Sequence, residues 1–93
     1  MSQIIEKKVL SEYFESILQG QKTFELRLAD WQCEPGDVLV LKEIDATTKQ
    51  TTGRSLKRKV GYVLKTKDLR LFAEDEVARF GYQVISLLPE EQL

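Results

Sequence analysis

Between Gly20 and Arg27 the chain reads GQKTFELR, which sets Lys22, Thr23, Glu25 and Arg27 within six positions of one another. A carboxylate flanked by two cations can accept an amino group of a base while the cations hold a carbonyl or phosphate oxygen. That chemistry suits a nucleobase. The competing reading is a solvated strand face, whose ion pairs are worth at most about 1 kcal/mol each.

Two further side chains extend this polar row. Trp31 follows it closely, and an exposed indole would stack on a base with about 1 to 3 kcal/mol, although a lone Trp in a small domain is more often core. Glu43, at the end of an apolar run, either joins Glu25 at the cleft or is an exposed strand end. A second cluster, Arg54, Lys57, Arg58 and Lys59, has the residue types that meet phosphates. Lysines on an edge strand also serve simply to block aggregation, so both readings stay open.

The charge distribution sharpens the second cluster. The net charge is −1. Residues 1 to 48 carry five basic and nine acidic side chains, residues 49 to 70 eight and one, and residues 71 to 93 one and five. A basic middle between two acidic flanks forms a local patch able to meet phosphates, although a charge run is more often plain solvated surface.

Several classes of chemistry are excluded by composition. The chain has no His, which removes Ser-His-Asp and Cys-His catalysis, and with a single Cys, Cys33, there is no zinc set and no internal disulfide. We expect neither metal nor cofactor. The longest purely apolar run is Val38 to Leu41, far short of the roughly 20 residues of a membrane helix. The N-terminus lacks the apolar stretch of a secretory signal, so a cytoplasmic location is expected. At 93 residues, 42% hydrophobic and 31% charged, the chain should fold as one domain, residues 1 to 93.

The elements that must position these side chains follow from periodicity. Ile4 to Val9 suits a short strand. Ser11 is a candidate N-cap, Phe14, Ile17 and Leu18 share a helical face, and Gly20 supplies a left-handed stop. From Lys22 the period becomes two, with Phe24, Leu26 and Leu28 on one face and Thr23, Glu25 and Arg27 on the other. EPGD, Glu34 to Asp37, reads as a tight turn. The run that follows, from Val38, is apolar on both parities and suits a strand buried on two sides. ATTKQTTG is a polar hairpin-like connection. A third strand is predicted over Leu56 to Leu64, a short helix over Asp68 to Phe80, a last strand in YQVISLL, and a polar tail in PEEQL. Few helices among many strands, without regular β-α alternation, predict an α+β or mostly β fold, closer to a small antiparallel barrel than to a parallel sheet.

The stretches YFESILQGQKTFELR, PGDVLVLKE, TTGR and GYQVIS resemble the ASCH superfamily, and within it a small bacterial and phage subgroup with the patterns G-x-K-T-x-E-x-R, G-D-x-L-x-L-x-E and T-G-R. The resemblance covers about Lys8 to Leu87. It implies a small, mostly antiparallel PUA-like β-barrel with one N-terminal helix and a short second helix, and a cleft beside the barrel suited to RNA or a nucleobase-like ligand. One branch of the superfamily removes acyl groups from N4-acylcytidines with a Lys, a Thr and a distant Glu. Lys22 matches that lysine. Glu25 stands where the branch has its hydroxyl, Thr23 offers a hydroxyl nearby, and Glu74 or Glu76 lies in the region of the distant acid.

The leading expectation is therefore an RNA-binding or modified-nucleoside-binding domain. Its cleft would hold Lys22, Thr23, Glu25, Arg27, Trp31 and Glu43, and Arg54, Lys57, Arg58 and Lys59 would hold phosphates. The alternatives are a small amidohydrolase using Lys22 and Glu25, and a non-catalytic protein-interaction domain whose charged rows are only surface.

Overall fold

A computed structural model describes residues 2–67 and 69–89. Its elements run β1 (Ile4–Leu10), α1 (Ser11–Leu18), β2 (Val38–Ile44), β3 (Thr51–Lys59) and α2 (Glu74–Phe80). The three strands form one mixed sheet in the order β1-β2-β3. β1 runs parallel to β2 with Ile4 opposite Val38 and Leu10 opposite Ile44, and β3 returns antiparallel with Leu41 opposite Leu56. The α+β class agrees with expectation, but the sheet is mixed rather than mostly antiparallel. The reason lies in the connection: α1 and the long segment behind it give enough chain for a crossover that brings β2 alongside β1 in the same direction.

The core sits between α1 and one face of the sheet. Phe14 and Ile17 of α1 meet Val9 of β1, Leu39 and Leu41 of β2, and Leu56 of β3, with Ile5, Trp31 and Val60 packed at its margin. β2 alternates cleanly, with Leu39, Leu41 and Glu43 buried and the intervening residues half-buried. The strand read as buried on both sides therefore has one dry face and one partly covered face. Leu18, read as part of the helix's apolar face, is largely exposed.

Local chemistry explains the ends of α1. Ser11 does not cap it; Leu10 holds the N-cap position, and Ser11 Oγ donates 3.1 Å to the Ile44 carbonyl. Ser11 is the first residue inside the helix rather than its cap, and because Leu10 pairs with Ile44 the Ile44 carbonyl lies close enough to accept its O–H. At the other end Gly20 takes φ +80°, with its N–H on the Ile17 carbonyl and the Gln21 N–H on the Ser16 carbonyl. These two bonds satisfy carbonyls that a helix end otherwise leaves unpaired.

The turn before β2 also follows its sequence. Gly36 has φ +99° and the Asp37 N–H returns to the Glu34 carbonyl at 3.0 Å, the geometry that Pro-Gly at the central positions favours. Asp37 is buried, and its carboxylate accepts the backbone N–H groups of Gln3 and Glu34, which hold its pKa below the usual value. It thereby ties the start of β1 to the turn.

The hairpin between β2 and β3 is shorter than predicted. Asp45 accepts the N–H groups of Thr47 and Thr48, Lys49 adopts φ +61°, and Asp45 pairs with Gln50, so pairing resumes at Thr51 rather than Leu56. Residues 60–64 correspondingly lie beyond β3. The alternating stretch at 22–28 and the expected last strand at 82–88 lie outside the three paired strands, and Leu26, Leu28, Tyr62, Val84 and Ile85 are exposed. The second helix is confined to Glu74–Phe80, with no buried residue. Asp68, the first residue of the predicted second helix, and all but Pro89 of the predicted tail lie outside the described residues.

Candidate functional site

The GQKTFELR stretch folds across the end of β1 and the start of α1. A cleft of about 430 Å³ lies there, lined by Lys8, Val9, Leu10 and Tyr13 on one side and by Lys22, Phe24, Glu25, Leu26 and Arg27 on the other. The helix stop at Gly20 positions this second wall, because the Lys22 N–H joins that of Gln21 on the Ser16 carbonyl.

Glu25 is the hub of the wall. Its Oε1 accepts Lys22 Nζ at 3.1 Å and its Oε2 accepts Arg27 Nε at 2.8 Å. The carboxylate and the Lys22 side chain are mostly shielded, at 18% and 16% exposure, so these pairs are less screened than surface ones. Lys22 Nζ also donates to the Phe24 carbonyl at 2.7 Å and lies 4.7 Å from the Phe24 ring and 5.6 Å from the Tyr13 ring. Arg27 donates its second bond to the Lys8 carbonyl of β1 at 2.6 Å. An ammonium has three donors and a guanidinium five, so both cations retain donors beyond these partners.

The other predicted ligands lie elsewhere. The Thr23 N–H donates to Ser86 Oγ at 2.9 Å, which anchors the wall to the 82–88 stretch, but Thr23 is not among the cleft's lining residues. Trp31 is half-buried at the margin of the core, with Lys7 Nζ 3.9 Å from its ring centroid, and it does not line the cleft. Glu74 and Glu76 are exposed in the first turn of α2, away from the cleft lining.

Glu43 is not among the cleft's lining residues and is not an exposed strand end. It is 4% exposed, and its carboxylate accepts Arg54 Nε at 2.8 Å, Arg54 Nη2 at 3.0 Å and Thr52 Oγ1 at 2.5 Å. The two-point Arg54 fork and the Thr52 hydroxyl pull its pKa down to about 2. Arg54 Nη2 also reaches Glu15 of α1 at 2.8 Å, and the guanidinium lies 4.9 Å from the Phe14 ring. The Arg54 pKa is accordingly raised, first by Glu43 and then by Glu15. Arg54 thus binds β2, β3 and α1 together, which uses its fork internally.

The remaining basic residues of β3 divide by face. Arg58 shares the core parity with Leu56 and donates to the Lys57 and Ile17 carbonyls. Lys57 and Lys59 lie on the opposite parity and are exposed. Cross-strand partners share a face. Lys57 is opposite Val40, Lys59 opposite Val38, and Lys8 opposite Lys42, so the outer face carries Lys8, Lys42, Lys57 and Lys59. Glu6 on the same face pairs with Lys42 at 3.3 Å. Lys8 connects this face to the cleft that it also lines.

Tyr13, Phe24 and the Lys8 carbonyl were not legible as site groups. Tyr13 sits one residue before the buried Phe14, a helix position that carries no ligand signal of its own, and the Lys8 carbonyl matters only because Arg27 reaches it. Among the described residues no three acidic or Cys side chains gather as a metal site, and no helix is long and apolar enough to cross a membrane.

No curated protein and no solved structure matches the chain. A family model does match, over residues 4–80, a span that takes in the cleft walls, the Glu43–Arg54 fork and α2. On that match the chain belongs to the domain of unknown function family DUF3850.

Proposed function

We propose that the protein binds a nucleobase in the Lys22–Glu25–Arg27 cleft, carried on a nucleoside or in single-stranded RNA. The observation that carries this reading is one shielded carboxylate held between an ammonium and a guanidinium, beside two aromatic rings, in a cleft of about 430 Å³. That volume lies within the usual range of small-molecule sites. The rings offer an apolar wall for a planar ligand, and the charged groups offer directed hydrogen bonds to its edge. The lysines of the outer sheet face, continuous with the cleft through Lys8, supply phosphate contacts for a longer strand.

The same reading includes a PUA-like barrel of the ASCH type. Its support is the unpaired alternation at 22–28, the exposed apolar side chains Leu26, Leu28, Val84, Ile85 and Leu87 of the stretches 22–28 and 82–88, and the Thr23–Ser86 hydrogen bond that already joins them. Pairing of these stretches would cover Leu26, Leu28 and Val84 and remove open sheet edges. The hydrolase alternative has less support, because Glu25 stands where the hydrolase branch has its hydroxyl and both of its oxygens already hold a cation.

Lys22→Ala tests the proposal. Removing one partner of a partly shielded pair should leave the chain folded by circular dichroism, while nucleoside or RNA binding falls at least about tenfold. Retained binding in a folded Lys22→Ala chain would refute the assignment.

A further inference from the structure

We infer that the cleft selects a base with an imide edge, the carbonyl, N–H, carbonyl sequence of a uracil-like ring, an inference that rests on the nucleobase reading above. The two cations occupy different oxygens of the same carboxylate, Lys22 on Oε1 and Arg27 on Oε2. The groups are therefore ordered donor, acceptor, donor, with Glu25 fixed in the middle.

Capacity remains in each of them. An ionised carboxylate has about four lone-pair sites, of which Lys22 and Arg27 take two. Lys22 has used two of three N–H donors, on Phe24 and Glu25, and Arg27 two of five, on Glu25 and Lys8. A ligand can thus bond to all three groups without displacing an existing partner.

The order discriminates among bases. A uracil edge presents acceptor, donor, acceptor, so its carbonyl oxygens meet the two cations and its N–H meets Glu25. A cytosine edge presents donor, acceptor, acceptor, which sets its ring-nitrogen lone pair against the carboxylate. A guanine edge presents acceptor, donor, donor, which sets an amino group against a cation. In both mismatches a desolvated polar group is left without a partner, and such losses cost more than an ordinary hydrogen bond gains. The Phe24 and Tyr13 rings beside Lys22 bound the space in which the ring would lie.

The test is calorimetric titration of the full chain with uridine, cytidine, guanosine and 3-methyluridine, repeated with short oligouridylate and oligocytidylate. Uridine should bind at least about tenfold more tightly than cytidine or guanosine. 3-Methyluridine, which keeps both carbonyls but loses the N–H, should fall to the cytidine level. Glu25→Gln, whose amide can donate to the cytosine ring nitrogen, should narrow the uridine-to-cytidine ratio; the panel on the unaltered chain decides even if this variant does not fold. A preference seen only between the two oligonucleotides supports the inference with RNA as the source of the base. Equal affinity for cytidine, or unchanged affinity for 3-methyluridine, overturns the imide inference and leaves the nucleobase reading intact. Absence of binding to every nucleoside and both oligonucleotides overturns both.

Discussion

Arg54 on β3 grips Glu43 on β2 with two parallel bonds, Nε to Oε1 at 2.8 Å and Nη2 to Oε2 at 3.0 Å, across a hairpin whose register shifts at that point. This fork joins the G-D-x-L-x-L-x-E and T-G-R stretches and explains structurally why a carboxylate stands on the buried face of an otherwise apolar strand. The pairing makes a pH prediction. The Glu43 pKa is lowered from 4.5 to about 2, so its contribution to stability is complete above pH 4.5 and is lost as pH falls towards 2. Melting followed through that window should show an acid limb in the native chain. Arg54→Ala should lower the melting temperature at neutral pH more than Lys57→Ala does and should flatten that limb, because the carboxyl no longer has its strongest partner. An unchanged limb would mean that the fork does not set the Glu43 ionisation.

Gly20→Val should destabilise the fold through backbone strain alone. Gly20 has φ +80°, and a Cβ there would meet nothing within 4 Å, so no packing change offsets the effect. A left-handed residue costs about 1 to 2 kcal/mol, which for a domain of this size lowers the melting temperature by roughly 4 to 16 °C. Native melting would show that the helix does not stop at this residue.

Phosphate contacts by the outer face make binding to RNA salt-dependent. Lys57→Gln with Lys59→Gln removes two exposed lysines without touching the core or the cleft. Two lost contacts to a single strand should flatten the slope of log affinity against log salt by about 1.4. An unaltered slope would exclude these lysines from phosphate binding.

Part of this architecture was legible in the sequence because it is local. The Gly20 stop and the Pro35–Gly36 turn each depend on neighbours a few residues apart, and each occurs where the pattern puts it, whereas the run of β2, apolar on both parities, marks a strand but not which of its faces is buried. The Lys22–Glu25–Arg27 row was legible for the same reason, since its ion pairs span two and three positions. Ser11 misled because β1 runs directly into α1 and leaves Leu10 at the cap position, while the Ile44 carbonyl that accepts the Ser11 hydroxyl lies 33 positions away in sequence. Glu43 misled because its partner lies beyond the hairpin, and only the pairing of Ile44 with Thr51 brings Arg54 back to it. The direction of β1 relative to β2 was hidden likewise, because parallel pairing depends on the path of the whole connection between them.

Amide NMR titration of the isotopically labelled chain with uridine reports, residue by residue, whether a base enters the cleft. Saturable shifts should concentrate at Lys8, Val9, Leu10, Tyr13, Lys22 and Phe24 to Arg27, the two walls of the cleft, with the signals of α2 unmoved. Saturable shifts confined to residues outside those walls, or none at concentrations where other nucleosides and oligonucleotides are also silent, would contradict the nucleobase reading.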